Sequence, residues 1–232
     1  MLHNRLDMSN FYIVATPIGN LKDISYRALE ILKSVDLILC EDTRQTSKLL
    51  GHYQIQTRLL SYHQHSKIAK VDYILDLLSQ GKNLALVSDA GTPGISDPGN
   101  KLIEEVISKL PETNVVSIPG PSAVIAALSI SGLPTDKFLF LGFPPMKKKR
   151  KAFFELIAES QYTAVFYESP HRIIKSLEEL RTLKPDLSIV VCREITKKFE
   201  TAYRGGIGGI IETLKKEGPL GEFVVVVDNR NR

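Results

Sequence analysis

Short apolar segments alternate with amphipathic stretches along the first half of the chain. Apolar runs at 11–15, 36–40, 58–61, 84–87 and 114–117 have the length of strands. Between them, helical spacing of apolar residues predicts helices at 25–32, 43–50, 68–78 and 99–110, the first with Ser25 as its N-cap. Strands and helices that alternate at this spacing are typical of a parallel sheet with helices on both faces.

The second half of the chain departs from this alternation. Strands are predicted at 137–142, 163–167, 187–192 and 222–227, and helices at 122–131 and near 147–158, 170–182 and 206–216. Residues 198–204 alternate apolar and polar, as an edge or antiparallel strand does. Because Pro-Gly-Pro at 119–121 interrupts both periodicities, we predict two α/β domains, 1–118 and 119–232. The first has a mostly parallel sheet and the second a mixed one.

Composition is that of an ordinary soluble globular protein, with 43% apolar and 24% charged residues. No apolar stretch approaches the length of a membrane span, and residues 1–10 lack the apolar core of a signal peptide. Cys40 and Cys192 lie in or beside apolar runs, which predicts reduced, partly buried thiols in a cytosolic protein and no metal. A net charge of +4 mildly favours an anionic partner.

The loop at 88–99, SDAGTPGISDPG, is the most informative segment of the chain. It follows the apolar run 84–87 and holds three glycines, two prolines and two aspartates. In open α/β sheets ligands bind at the carboxyl ends of strands, so this loop predicts a binding site. The alternative is a capped helix start, with Asp97 as N-cap and Pro98 at the first helical position, which explains only the second half of the loop.

Two further loops follow predicted strands. Residues 16–23 contain a proline and a glycine but match neither the dinucleotide nor the phosphate-loop pattern, so alone they predict a structural turn. Residues 41–44 place Glu41, Asp42 and Arg44 at a strand end. They could hold a ribose or a cationic group of a ligand, or cap the next helix, and the sequence favours neither.

Taken together, the segments 14–25, 41–44, 88–99, 119–122 and 166–172 resemble the tetrapyrrole-methylase-like superfamily. Within it they are most similar to bacterial methyltransferases of small-subunit ribosomal RNA, over about residues 11–227. The resemblance implies methyl transfer from S-adenosylmethionine to the 2′-oxygen of a cytidine in the 16S rRNA of the small ribosomal subunit. It also implies a cytoplasmic homodimer. Such proteins usually carry a further C-terminal segment beyond the position of Arg232, which is expected to help hold RNA.

The resemblance also implies where the methyl donor binds, strongly bent in a cleft between the two domains. Residues at the turn after the first strand replace the glycine-rich loop of tetrapyrrole relatives, which argues against a porphyrin-like substrate. The implied cofactor-binding residues are Thr16, Pro17, Gly19, Asn20, Ser88, Asp89, Ala90, Gly91, Thr92, Ile95, Ser122, Ala123, Tyr167, Glu168, Ser169 and Pro170.

A ribose hydroxyl is a poor nucleophile, so transfer to it requires placement and benefits from a base. The candidate catalytic residues are Glu168, Glu41 and Asp42, with Asp89 also near the implied cleft. Glu168 comes first because it stands with a histidine and an arginine at a strand end. The alternative interpretation is that Glu168 forms a structural ion pair with Arg172 or caps the following helix.

The densest run of charge, KKKRK at 147–151, fits either an RNA contact or a solvated helix face. Phe153 and Phe154 are predicted to be core, so they do not support base stacking. His63 and His65 form no metal-ligand set, but their loop could line the acceptor side. The candidate RNA-binding residues are Arg44, His63, Lys147, Lys148, Lys149, Arg150 and Lys151.

Two other functions remain compatible with the sequence. One is a methyltransferase of the same fold that acts on a small, tetrapyrrole-like molecule, and the other is a non-catalytic RNA- or ribosome-binding module. The basic run counts against the first, and retention of the 88–99 loop counts against the second.

Overall fold

The computed structural model describes residues 8–63, 68–97 and 99–228, which form two compact units that divide after Pro121. The sequence-based boundary at 118/119 lies close to this point. Each unit has its own sheet and its own buried apolar core.

The first unit contains a five-stranded sheet in which every pairing is parallel, as the alternating pattern predicted. The strand order is β3-β2-β4-β1-β5. Its strands are β1 Asn10–Val14, β2 Leu37–Cys40, β3 Leu59–Ser61, β4 Leu84–Val87 and β5 Asn114–Ile118. Its helices are α1 Tyr26–Ser34, α2 Thr43–His52, α3 Ile68–Ser79 and α4 Asn100–Lys109, with a short 3-10 turn at Leu21–Asp23.

The helices of the first unit cover opposite faces of this sheet. Residues of α1 and α2, such as Leu32 and Leu50, pack in one core cluster, whereas residues of α3 and α4, such as Ile74 and Leu102, pack in the other. The connections from β1 to β2 and from β4 to β5 run in opposite directions across the sheet. Because both crossovers are right-handed, their helices lie on opposite faces. Adjacent strands whose connections lead to opposite faces of the sheet open a crevice at their carboxyl ends. Here those strands are β1 and β4.

The second unit contains a mixed five-stranded sheet of order β6-β7-β10-β8-β9, in agreement with the prediction. β6 and β7 are parallel, and the other pairings are antiparallel. Its strands are β6 Phe138–Phe140, β7 Thr163–Glu168, β8 Ser188–Arg193, β9 Thr201–Gly206 and β10 Phe223–Asp228. Its helices are α5 Ala123–Ser131, α6 Arg150–Glu159, α7 Ile173–Leu183 and α8 Ile207–Glu217.

The start of α4 corrects one interpretation of the sequence. Asp97 is not its N-cap; the cap position is Gly99, which makes no side-chain capping bond. Gly99 has a φ of +142°, and a Cβ there would lie 3.0 Å from the Leu86 side chain. Backbone geometry and close packing therefore favour glycine at the cap position. The Asp97 carboxylate does not cap the helix. Pro98, assigned to the first helical position, lies outside the described residues.

Several smaller features bear on the sequence predictions. Cys40 and Cys192 are both free and buried, and burial raises the pKa of each thiol, that of Cys192 to about 11. The predicted edge strand is present, but it begins at Thr201 and leaves 198–200 in a loop. None of the helices in the described part of the chain is long and apolar enough to cross a membrane. The described ranges also contain no group of three metal-ligating side chains.

Candidate functional site

The loops that follow β1 and β4 are joined to each other at the crevice of the first sheet. Thr16 and Gly91 exchange both backbone hydrogen bonds, with N···O distances of 2.9 and 3.1 Å. The buried Thr16 hydroxyl donates to the Ser88 carbonyl at 3.0 Å, and the Ser88 hydroxyl donates to the Gly91 carbonyl at 2.9 Å. These bonds satisfy polar groups that would otherwise be buried unpaired, so they hold the two loops in one conformation.

Glycine is required at two positions of this arrangement. Gly91 has a φ of +82°, which side chains rarely adopt. Gly120, in the loop after β5, lies so close to the loop after β1 that a Cβ would stand 2.9 Å from the Cβ of Ala15. The loops after β1, β4 and β5 are therefore packed together by backbone contact.

Asp42 lies at the carboxyl end of β2 and serves as the N-cap of α2. Its carboxylate accepts from the Arg44 backbone N–H at 2.8 Å and pairs with the Arg44 guanidinium at 2.8 Å. The bonds from Arg44 lower the pKa of Asp42 to about 2. Its own backbone N–H donates to the Asp89 carboxylate at 3.3 Å, which links the β2 and β4 loops. The capping interpretation of 41–44 is confirmed.

Asp97 is the one carboxyl group of this edge, among the described residues, whose pKa is raised toward neutrality. Burial raises the pKa to about 6, and the negative charges of Glu41 and Asp89 add to the effect. Three carboxylates near one another make this edge electronegative, which suits a cationic ligand.

The donor-binding candidates of the first unit surround this crevice with different exposure. Thr16, Pro17, Ser88 and Gly91 are buried, Asn20 and Thr92 are half-buried, and Gly19, Asp89, Ala90 and Ile95 are exposed. The Asn20 side chain also accepts from the Lys22 backbone N–H, so it has a local structural role as the cap of the 3-10 turn. The remaining donor-binding candidates, Ser122, Ala123 and residues 167–170, belong to the second unit, where Ser122 is the N-cap of α5.

Glu168 ends β7 in the second unit, and its side chain is completely buried. One oxygen accepts from the Ser169 backbone N–H at 2.7 Å and lies 2.9 Å from the Arg172 guanidinium. The other oxygen accepts from the Ser176 hydroxyl. The predicted ion pair between Glu168 and Arg172 is confirmed, whereas the role of Glu168 as a base stays a prediction.

Arg150 does not belong with the exposed lysines of the basic run, which corrects its assignment as an RNA contact. Its guanidinium is buried, pairs with Glu179 at 2.9 Å and donates to the Ser176 hydroxyl at 2.8 Å and to the Pro145 carbonyl at 3.2 Å. An arginine turned inward in this way is held by interactions that RNA would have to break. The exposed cations of the run are Lys147, Lys148, Lys149 and Lys151.

The aromatic and histidine candidates are placed as follows. Phe154 is buried and Phe153 packs against the same core, as predicted. Tyr167 is half-buried and packs edge-on to Phe140, with ring centroids 5.0 Å apart. His63 and Arg44 are exposed, and His65 lies outside the described residues.

Two features were missed by sequence reasoning. The first is Asp97, for which the sequence suggests only the alternative of a helix cap, because Asp-Pro commonly begins a helix. The second is the loop between β8 and β9, whose exposed Phe199 was assigned to a strand. The signal available for Phe199 was an aromatic residue within a charged stretch, TKKFE.

A family model for tetrapyrrole (corrin/porphyrin) methylases matches residues 10–211. A Vibrio cholerae protein named ribosomal RNA small subunit methyltransferase I is 47% identical over 93% of this chain and 76% of its own length. A Thermotoga maritima protein of the same name is 42% identical over 96% of this chain and all of its own length. The crystallographic fold of a cobalamin biosynthetic enzyme, cobalt precorrin-4 methyltransferase, matches 98% of both chains with a TM-score of 0.71 at 18% identity.

Proposed function

This chain belongs to the tetrapyrrole methylase family, and we propose that it methylates the small-subunit ribosomal RNA with S-adenosylmethionine as methyl donor. The finer proposal is transfer to the 2′-oxygen of a cytidine in 16S rRNA, in the cytoplasm and by a homodimer. The observation that carries the substrate is 42–47% identity, over at least 93% of the chain, to proteins named for that RNA. The likeness to precorrin methyltransferase, at 18% identity, supports the fold alone.

The crevice of the first sheet fits the methyl donor by charge and by backbone geometry. The donor carries a sulfonium and an ammonium cation, and the edge presents the carboxylates of Glu41, Asp89 and Asp97. Residues 88–92 would face its methionine part, held in place by the bonds between Thr16, Ser88 and Gly91. When bound, the donor supplies an electrophilic methyl group, so the protein has to place the acceptor hydroxyl and take its proton.

The carboxyl groups differ in their suitability as the base. Asp42, with a pKa of about 2 and a guanidinium partner, has little affinity for a proton at neutral pH. Both oxygens of Glu168 are engaged by neighbouring groups. Asp97, with a pKa of about 6, is closest to the value that suits a general base at neutral pH. These differences support Asp97 ahead of Asp42, with Glu41 and Asp89 as the other carboxylates of this edge.

The RNA side of the proposal rests on exposed positive charge. Lys147, Lys148, Lys149 and Lys151 are exposed at the N-terminal end of α6, the last of them 3.5 Å from Glu155. On the first unit the Arg44 guanidinium is exposed beside Asp42, and the His63 side chain is also exposed. Each contact with a phosphate would release counterions and add to the salt dependence of binding.

Methyl transfer from isotope-labelled S-adenosylmethionine to small ribosomal subunits that lack native modifications tests the proposal, with the labelled nucleotide mapped. Label on a single cytidine 2′-oxygen is the expected result. Calorimetry with the methyl donor alone separates the alternatives. No binding at millimolar concentration would refute every methyltransferase function, and binding without transfer to subunits or RNA would point to a small-molecule acceptor.

A further inference from the structure

The loop between β8 and β9, residues 194–200, carries an exposed aromatic ring beside a cation. The Phe199 side chain is 69% exposed, although phenylalanine is among the residues most often buried. The Lys198 ammonium lies over one face of its ring, 5.5 Å from the centroid. The ring and the cation therefore present one composite surface to solvent.

This loop is held in a conformation that its residues do not favour. Glu194 and Thr196 have φ values of +53° and +68°, and a β-branched residue in this region is a clear outlier. The Thr196 hydroxyl oxygen is buried and has no hydrogen-bond partner among the described residues. Backbone strain of this kind persists only where the surroundings impose it.

A network of charged groups surrounds the residues with positive φ. The Lys197 ammonium lies 2.9 Å from the carboxylates of both Glu194 and Glu222. Glu194 also accepts from the Glu222 backbone N–H at 2.9 Å and packs directly against Gly221. The Thr196 backbone N–H donates to the Glu200 carboxylate at 2.6 Å. The Lys197 ammonium is thus engaged in ion pairs within the protein, whereas the Lys198 and Phe199 side chains are exposed to solvent.

The loop lies at the same edge of the second sheet as Glu168 and the segment that leads to the exposed lysines. Phe223 of β10 pairs with both Glu168 of β7 and Arg193 of β8, so the ends of β7 and β8 are level. β6 runs parallel to β7, which brings the segment before the exposed lysines to this edge. Three spacings of about 4.8 Å separate β6 from β8, and the end of β6 at Phe140 pairs with Val165, three residues before Glu168. The ends of β6 and β8 are therefore roughly 17 Å apart. A short single strand of RNA can bridge that distance.

We propose that Phe199 is a stacking platform for a base of the RNA substrate and that Lys198 holds an adjacent phosphate. The inference rests on the proposed function and adds to it the acceptor-side residues of the second unit. Aromatic rings stack on unpaired bases of any identity, and a nearby cation neutralises the backbone. An apolar protein partner fits less well, because the ring stands among charged side chains rather than in an apolar patch.

The test compares Phe199→Ala, Phe199→Leu and Phe199→Tyr with the wild-type protein. Binding of labelled small ribosomal subunits is measured by filter retention, and donor affinity by calorimetry. We expect the Ala and Leu variants to bind subunits roughly tenfold more weakly and Tyr to retain wild-type affinity, because only Tyr keeps the ring face. Lys198→Gln should lower the slope of log affinity against log salt by about one phosphate contact. Donor affinity should not change.

Tyr162→Ala is the matched control, since Tyr162 is an exposed aromatic residue that precedes β7 at the opposite edge of the sheet. Wild-type affinity of Phe199→Ala or of Phe199→Leu would overturn stacking, as would an equal loss in the Tyr variant. If the wild-type protein binds the methyl donor but not the subunits, the proposed substrate fails together with this inference. If wild-type binding is normal and Phe199→Ala is unaffected, this inference alone fails.

Discussion

Replacing Glu168 by glutamine removes one negative charge from the interior of the second unit and keeps the shape of the side chain. The carboxylate is completely buried, and the Arg172 side chain that pairs with it is 26% exposed. A hydrogen bond to a charged group contributes about 1.5–3 kcal/mol, and breaking a fully buried ion pair costs about 3–5 kcal/mol. Because Arg172 retains some access to water, we expect a loss of about 2–3 kcal/mol in the free energy of unfolding.

For a chain of this size, 1 kcal/mol corresponds to about 2–4 °C in Tm, so Glu168→Gln should lower the Tm by roughly 5–10 °C. Thermal unfolding followed by circular dichroism measures the shift. Glu212→Gln is the control: that carboxylate is 70% exposed and lies 3.8 Å from Lys215, so its loss should cost less than about 1 kcal/mol.

The same variant separates a structural from a catalytic role of Glu168. If the residue only supports the fold, the variant should retain most of its kcat at a temperature well below its lowered Tm. If it is the base, kcat should fall by a large factor under those conditions. An unchanged Tm would refute the energetic reasoning, because it would mean that the buried charge contributes nothing to stability.

Three further predictions concern the first sheet and the basic run. The raised pKa of about 6 for Asp97 in the folded state means that the wild-type protein loses stability as this carboxyl ionises between pH 4 and pH 7. Over that range Asp97→Asn should gain about 1–2 kcal/mol in free energy of unfolding relative to wild type, measured by urea unfolding. Parallel pH profiles of the two proteins would contradict this. Thr16→Val removes the hydroxyl that donates to the buried Ser88 carbonyl, so the free energy of unfolding should fall by about 1–2 kcal/mol. Calorimetry should also show weaker binding of the methyl donor. Unchanged stability and unchanged donor affinity would show that the bond is dispensable. A variant with glutamine at the four exposed lysines, Lys147, Lys148, Lys149 and Lys151, should show a smaller slope of log RNA affinity against log salt and little change in Tm. Arg150→Gln should instead lower the Tm, because Arg150 is held by Glu179 and Ser176. Equal salt slopes for the lysine variant and wild type would mean that the run does not contact RNA.

Local pattern was enough to predict the elements and their order. The apolar run 84–87 became β4, buried at every position, and Ser25 caps α1 as its place before the helical stripe predicted. Parallel and mixed sheets followed from the spacing of strands and helices. Each strand or helix depends on near neighbours in the chain, so the sequence carries it directly. The sheet pairings join distant residues, such as Phe11 and Leu84, and were inferred from the order of the elements.

The roles of individual polar side chains depended on tertiary structure. Sequence placed Arg150 with four lysines, yet the fold brings Glu179 and Ser176 to it from another helix and draws it inward. Sequence offered Asp97 as a helix cap in the alternative interpretation of its loop, yet the cap is Gly99, packed on Leu86, and Asp97 lies near other carboxylates.

By itself, then, the sequence determined the α/β class, the two sheets and the loops that carry the candidate site. Tertiary structure alone decided that the loops of Thr16 and Gly91 are bonded to each other, that the Ser176 hydroxyl donates to Glu168, and that Phe199 is exposed. The physical reason is range. Periodicity and capping act over a few residues, whereas burial, charge pairing and pKa depend on groups that only the fold brings together.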